Sequence, residues 1–181
     1  MSFVGLDLSL RATGLALVSP DDVTASKITT LSPPPALKET PRLKWIQSAL
    51  AQALAGTDIT HAAIEGYSFG SKNNQFYLGE LGGVIRLWLY TQGIPYIVVP
   101  PNVLKKWTTG NGAADKIVMA VSTFDEWGFR FEDDNQCDAF NLAVMAAAYA
   151  DTPLAQSNAD RKRILEVVRA NPLGLPKGKA K

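Results

Sequence analysis

Four acidic residues, Asp7, Glu65, Asp134 and Asp138, stand where a carboxylate is costly. Asp7 interrupts the apolar run Phe3-Val4-Gly5-Leu6-Asp7-Leu8, and Glu65 ends the short run His61-Ala62-Ala63-Ile64-Glu65. Both runs read as strands, and a carboxylate in a central strand costs several kcal/mol unless something positive meets it. Asp134 and Asp138 are four residues apart on a predicted helix and project from one face. Asp138 continues into Leu142, Met145 and Tyr149, the stripe turned to the core. Crowded carboxylates repel, and Mg2+ or Mn2+ bound by their oxygens makes the ionised state tolerable. Two such ions roughly 3.5–4 Å apart activate water and stabilise a leaving oxygen in phosphodiester cleavage. Each acid also has a plainer role open to it, Asp134 as a helix cap and Glu65 as the start of a solvent loop. The combination of strand-one Asp, strand-four Glu and helical Asp favours chemistry.

The scaffold that must position these groups is readable in outline. Residues 3–8 and 13–19 read as two strands joined by a polar turn, and 23–30 as a third, weaker one. After a Pro-rich connector, Thr40-Pro41 reads as an N-cap followed by proline at the first helical position, opening a helix of about 15 residues that ends near Gly56. The strand 61–65 leads through a loop into a long helix over roughly 74–92, with Leu78, Leu81, Ile85 and Leu89 at helical spacing, and then a buried strand at 95–99. Pro100-Pro101 precedes a short helical turn, a glycine-containing loop and an amphipathic helix from about 114 to 127. The alanine-rich stretch 133–150 begins with acids, which suits the positive end of a helix dipole. A last helix covers about 158–170 and is stopped by Asn171-Pro172. The order βββαβαβ followed by helices predicts an α/β domain, a mixed five-stranded sheet flanked by helices. It is expected to span 1–150, with 151–181 adding a C-terminal helix and basic tail.

Composition narrows the classes further. With 181 residues and 46% hydrophobic side chains, one domain can bury a core without disulfides or a structural metal. A single cysteine, Cys137, excludes an internal disulfide and any CxxC zinc pattern, and it suits a reducing cytoplasm. No stretch reaches the roughly 20 apolar residues of a membrane span, and the N-terminus lacks a basic region followed by an apolar run. The expectation is a cytoplasmic protein with no membrane contact. The net charge of +1 divides unevenly: 1–159 carry −4 and 160–181 carry +5. Arg161, Lys162, Arg163, Lys177, Lys179 and Lys181 are therefore either phosphate contacts or a solvated face and tail. Trp45, Trp88, Trp107 and Trp127 read as core or interface anchors, His61 as a packed or surface residue, and Cys137 as a small buried filler.

The run Gly5-Leu6-Asp7-Leu8-Ser9-Leu10-Arg11-Ala12-Thr13-Gly14 resembles the opening motif of the RuvC Holliday junction resolvases, and Ile64-Glu65 is similar to their second motif. Lys105, with the stretch Thr109-Gly110-Asn111-Gly112-Ala113-Ala114-Asp115-Lys116, resembles their basic loop-and-helix motif, and Asp138-Ala139-Phe140 their last acidic one. The four occur in order over about 1–150, and the compact Asp-Asn-x-x-Asp arrangement resembles the divergent resolvases of phages. The resemblance implies a homodimer with a ribonuclease-H-like fold and a Mg2+-dependent endonuclease activity, with Mn2+ able to substitute and two ions per site. The implied substrate is four-way or otherwise branched DNA, nicked symmetrically in two strands. Asp7, Glu65 and Asp138 would be catalytic carboxylates, and Lys105 and Lys116 the phosphate-facing lysines. Lys116 would belong to the catalytic set. The family commonly has Asp or His three residues before the last acid. This chain has Asn135 there and Asp134 one earlier, and Asp134 is favoured because i and i+4 share a helix face as i and i+3 do. Tyr67 and Phe69 follow Glu65 where related enzymes use an aromatic at the junction centre, although loop packing explains them about as well. Lys72 and Lys106 join the DNA-contact candidates, against the ordinary surface-lysine reading.

Three other functions compete. Asp7-x-Ser9-x-x-x-Thr13-Gly14 also resembles the phosphate-binding hairpin of actin-like ATPases, but such proteins enclose nucleotide between two domains and this chain lacks a second hairpin. A phage nuclease for forks or flaps would share the chemistry, since branch geometry is read through shape. An inactive junction-binding protein is disfavoured by the intact acidic set. The helix at 74–92 carries Gly79, Gly82 and Gly83, which permit close helix approach, and its leucine stripe offers more apolar surface than one sheet face requires; this predicts a two-fold dimer interface. The competing reading packs the helix and its glycines on its own sheet alone.

Overall fold

In the computed structural model, which describes residues 1–66, 75–154 and 158–173, strands β1 (Ser2–Asp7) and β2 (Thr13–Val18) pair antiparallel with Asp7 opposite Gly14. The turn between them closes on itself. Thr13 Oγ1 donates to Ser9 O at 2.7 Å and accepts from Ser9 N, while Ser9 Oγ accepts from the N–H groups of Arg11 and Ala12. Both hydroxyls that a phosphate-binding hairpin would offer are thereby engaged in holding the turn. Strand β3 (Lys27–Leu31) extends the antiparallel edge, and β4 (Ile59–Glu65) and β5 (Tyr96–Val99) extend the other side in parallel, giving the order β3-β2-β1-β4-β5. This is the expected mixed five-stranded sheet.

Strand alternation sorts the core into two layers. Val4, Leu6, Ala62 and Ile64 turn to α1 (Glu39–Ala53) and α2 (Gln75–Thr91), meeting Ile46, Leu50, Leu81, Ile85 and Leu89. Phe3 and Ala63 turn to the opposite layer, built on α5 (Asp134–Tyr149) with α3 (Pro101–Thr109), α4 (Lys116–Trp127) and α6 (Ala159–Ala170) around it. Asp7 and Glu65 continue the alternation of Phe3 and Ala63, so both acids face α5. Helix α6 buries Ile164, Leu165 and Val168 in this same layer, and Val98 N donates to Pro172 O at 2.7 Å just beyond its end.

Three local expectations are corrected. The third strand begins at Lys27, because Asp22 accepts from Thr24 N at 2.9 Å and winds Val23–Ala25 into a 3-10 turn. Thr40 is not the cap of α1: the helix starts at Glu39 through a left-handed backbone (φ 44°), and Arg42 Nε donating to Leu37 O at 2.9 Å holds the first turn instead. The expected turn after Pro101 is the nine-residue helix α3, ended by Gly110 at φ 79°. Among the described residues no helix is long and apolar enough to cross a membrane.

Two glycines let α5 lie directly on the strands. A Cβ added to Gly5 would overlap the carbonyl oxygen of Ala139 and come within 2.5 Å of Ala143 N; one added to Gly14 would overlap the backbone of Asn135. Rigid backbone stands on both sides of each contact, so the strain has no flexible side chain to absorb it. Gly5→Ala and Gly14→Ala are each expected to destabilise by about 3 kcal/mol or more, at the upper end for overpacking. Equilibrium urea denaturation measures this; a loss under about 1 kcal/mol would mean that α5 is not seated here.

Candidate active site

The carboxylates come together at the C-terminal ends of the two central parallel strands. Leu6 pairs with Ile64, so Asp7 and Glu65 are the next residues on adjacent strands, one step beyond the paired register. Their side chains hydrogen bond to each other. Burial, followed by the repulsion of Asp7 and Asp138, pushes the Glu65 carboxyl far above the usual range. Burial also raises Asp7, but the hydrogen bond lowers Asp7 while it raises Glu65, the pattern of a protonated Glu65 donating to an ionised Asp7. Asp138, on the first turns of α5, is raised to about 7 by burial and then by Asp7 and Asp134. Three carboxyls thus press on one another across the sheet–helix seam.

Asp134 has a different partner. It forms an ion pair with Lys116, which holds its carboxyl below the usual range and raises the lysine, while it still acts electrostatically on Asp7 and Asp138. Lys116 is the first residue of α4, set there by Asp115, whose side chain caps the helix by accepting from Val118 N at 2.9 Å. Lys105, on α3, acts on both Glu65 and Asp138. Lys106 takes another direction and borders the cleft between α3 and α6 with Asp160 and Arg163. Asn135 lies over Gly14, the partner of Asp7 in the strand register, and its neighbour Asp134 acts electrostatically on Asp7 and Asp138. Tyr67, Phe69 and Lys72, and the tail lysines 177, 179 and 181, lie outside the described residues.

One acid escaped the sequence reading. Asp133, rather than Asp134, caps α5: its Oδ1 accepts from Gln136 N at 2.8 Å and its Oδ2 from Thr30 Oγ1 at 2.6 Å. Gln136 in turn donates to Thr30 Oγ1 at 3.2 Å and accepts from Glu132 N at 3.1 Å. This network ties the start of α5 to β3 and leaves Asp134 free of capping duty. The signal was present as Asp133-x-x-Gln136, a capping-box spacing. The remaining expectations fall into place as packing. Trp107 is buried, Trp45, Trp88 and Trp127 border the core, Cys137 is a buried filler, and His61 is half-buried against the Tyr149 ring at 6.0 Å.

The donor set suits a hard cation, being all oxygen at the seam, with three carboxyls raised by burial and mutual repulsion. Among the described residues no three acids converge as tightly as bound metal requires. Asp7 is instead satisfied by Glu65, and Asp134 by Lys116.

Comparison with known proteins gives the arrangement its context. The family model described as crossover junction endodeoxyribonuclease RuvC matches residues 3–146. The crossover junction endodeoxyribonuclease RuvC of Zymomonas mobilis subsp. mobilis is 32% identical over 152 residues, 81% of this chain and 90% of that protein. The structure of Thermus thermophilus RuvC superposes with a TM-score of 0.68 at 20% identity, covering 84% of this chain and 98% of that one. T. thermophilus RuvC in complex with Holliday junction substrate superposes with a TM-score of 0.70 at 21% identity, covering 83% and 94%. At those identities the structural likeness speaks for the fold, which is ribonuclease-H-like as expected. With the family match spanning most of the sequence, the chain belongs to the RuvC family of crossover junction endodeoxyribonucleases.

Proposed function

We propose that this chain resolves four-way DNA junctions by metal-dependent phosphodiester hydrolysis, with residues 1–150 forming the cutting domain and 151–181 an extension of it. The observation that carries the reading is the convergence of Asp7, Glu65 and Asp138 at one seam, flanked by Lys105 and Lys116, in a RuvC-family chain. The family works with divalent ions, and Mg2+, with Mn2+ as a substitute, is the assignment the oxygen donors favour. Bound there, such ions supply Lewis-acid activation of water and charge neutralisation at the leaving oxygen. Asp7, Glu65, Asp134 and Asp138 would hold them. Glu65 must give up the proton it shares with Asp7, and Asp134 must part from Lys116. The freed Lys116 ammonium, together with Lys105, then offers positive charge to the phosphate of the strand to be cut.

Synthetic four-way junction, flap, fork and linear duplex, each with Mg2+, Mn2+ or EDTA, test the reading. The junction is expected to be cut fastest, and only with metal. Asp7→Asn, Glu65→Gln and Asp138→Asn should each lower cutting by at least about 100-fold while junction binding persists, since each removes ligand charge and keeps shape. Asp134→Asn should be far more damaging than Asn135→Ala; the reverse order would move the fourth ligand to Asn135.

The raised carboxyls also set a pH dependence. Asp138, at about 7 in the fold against 3.8 as a free side chain, contributes stability that is complete below pH 3.8 and is lost as pH rises through about 7. The Asp7–Glu65 pair shifts in the same direction. Mg2+ is therefore expected to raise the thermal midpoint by several degrees at pH 8 and by about 1 °C or less at pH 5, relative to EDTA. Equal shifts at both pH values would argue against metal at these acids.

A two-fold dimer through α2 completes the reading. The expected leucine stripe is corrected: Leu81, Ile85 and Leu89 are fully buried in their own core. The outward stripe consists instead of Phe76, Gly79, Gly83, Leu87 and Tyr90, spaced three, four, four and three apart. Phe76, Leu87 and Tyr90 are 64–78% exposed, and a Cβ on Gly79 or Gly83 would meet nothing within 4 Å, so these glycines do not relieve crowding on the sheet. Light scattering should give a dimer mass for the native chain and a monomer for Gly83→Leu, which should also lose paired nicking of a cruciform plasmid. A native monomer, free and on DNA, would leave single nicking as the better description.

A further inference from the structure

Beside the carboxylates lies a cleft of about 680 Å³, within the roughly 300–1,000 Å³ of small-molecule sites, whose apolar part has no role in phosphate hydrolysis. Met119 and Cys137, both buried, form part of its lining, as do the half-buried rings of Phe129 and Phe131, held by ring contacts to Phe140 at 4.9 and 5.6 Å. Val121 and Phe124, 53% and 40% exposed, line it from α4. The Arg130 guanidinium lies over the Phe124 ring, 4.8 Å from its centre. Lys105, Lys116, Asp134 and Asp138 belong to both the cleft and the active site, so the two are continuous.

We propose that this cleft receives one nucleobase of the strand being cut, unstacked from the junction next to the scissile phosphate. The inference rests on the resolvase reading. Lys105 and Lys116 line the cleft, so a phosphate held by them would place its own nucleotide at the cleft mouth. The occupant must then be flat, largely apolar and tethered to a negative charge, and a base meets all three requirements. Aromatic rings and a guanidinium plane are the surfaces on which extruded bases stack. Unstacking is least costly where pairing is already broken, as it is at a strand exchange point. The guanidinium of Arg130 adds donors suited to base acceptors, so the seat is selective for base type as well as for presence. A peptide from a partner or a second copy would fill the apolar part but would leave the shared lysines without phosphate.

Single-turnover cutting of junctions that carry an abasic nucleotide at either side of the cut tests the proposal. On the native protein, the abasic site at one of the two positions is expected to slow cutting about tenfold relative to the intact junction. Phe124→Ala removes the ring and Val121→Trp fills the cleft from an exposed position; both should cut intact and abasic junctions at the same rate, close to that of the native protein on the abasic one. Thermal midpoints near that of the native chain check that the variants fold. Equal cutting of intact and abasic junctions by the native protein would overturn the proposal and leave the resolvase reading standing, as would an abasic penalty unchanged in both variants. A changed oligomeric mass in Val121→Trp, with the abasic penalty retained, would overturn it in favour of a protein interface. Failure to cut any junction in Mg2+ or Mn2+ would overturn the resolvase reading and this proposal with it.

Discussion

The seating of α5 on β1 and β2 is the constraint from which the rest follows. Backbone touches backbone at Gly5 and Gly14, and neither strand position has room for a methyl group. Close seating brings the start of α5 over the ends of β1 and β4, so acids from three elements meet across one seam. The alanine-rich sequence of the helix follows from the same constraint: Ala139, Ala143, Ala146 and Ala147 are fully buried, and larger side chains would lift the helix away. A seam opened by even one methyl diameter would separate Asp138 from Asp7 and weaken the interaction that defines the site.

The close packing has an electrostatic cost. Burial raises Asp7, Glu65 and Asp138 together, and the described conformation relieves them partly by the Asp7–Glu65 hydrogen bond and by nearby lysines. Such crowding is tolerated where a ligand of opposite charge is part of the design, and it costs stability in that ligand's absence. The Thr30–Asp133–Gln136 network is the structural counterweight. It fixes the first turn of α5 through capping and cross-element bonds, so the repulsive acids cannot relax simply by fraying the helix.

Two surfaces bear on how the chain meets DNA, and they lie on opposite layers of the sheet. The α2 stripe, with small residues between large exposed ones, would offer another copy a close approach and, in the proposed dimer, would set the spacing of two cutting sites. The cleft beside α4 opens at the carboxylates themselves and bears on which strand position is presented to them. Lysines at the site provide charge without base preference, and stacking surfaces provide preference without charge. In the proposed reading, together they would separate the holding of a phosphate from the reading of its neighbour.

Much of this was legible in the sequence because the signals are local. An acid inside an apolar strand, two acids four apart on a helix, and strand and helix periodicities each depend on a few neighbouring residues, and they placed Asp7, Glu65, Asp134 and Asp138 along with the five-stranded α/β order. Local competition misled the reading at Val23–Ala25 and at Thr40, where a side chain bonding to nearby backbone decided the conformation. The tertiary structure alone decided matters between residues far apart in the chain. It chose Asp133 over Asp134 as the cap through Thr30, some hundred positions away. It also turned Lys105 toward the acids and Lys106 away, and buried the leucines of α2 while exposing Phe76, Leu87 and Tyr90. Period and spacing state which residues share a face; only the packed neighbours determine which face is covered, because burial is a property of the whole assembly of elements and not of any one of them.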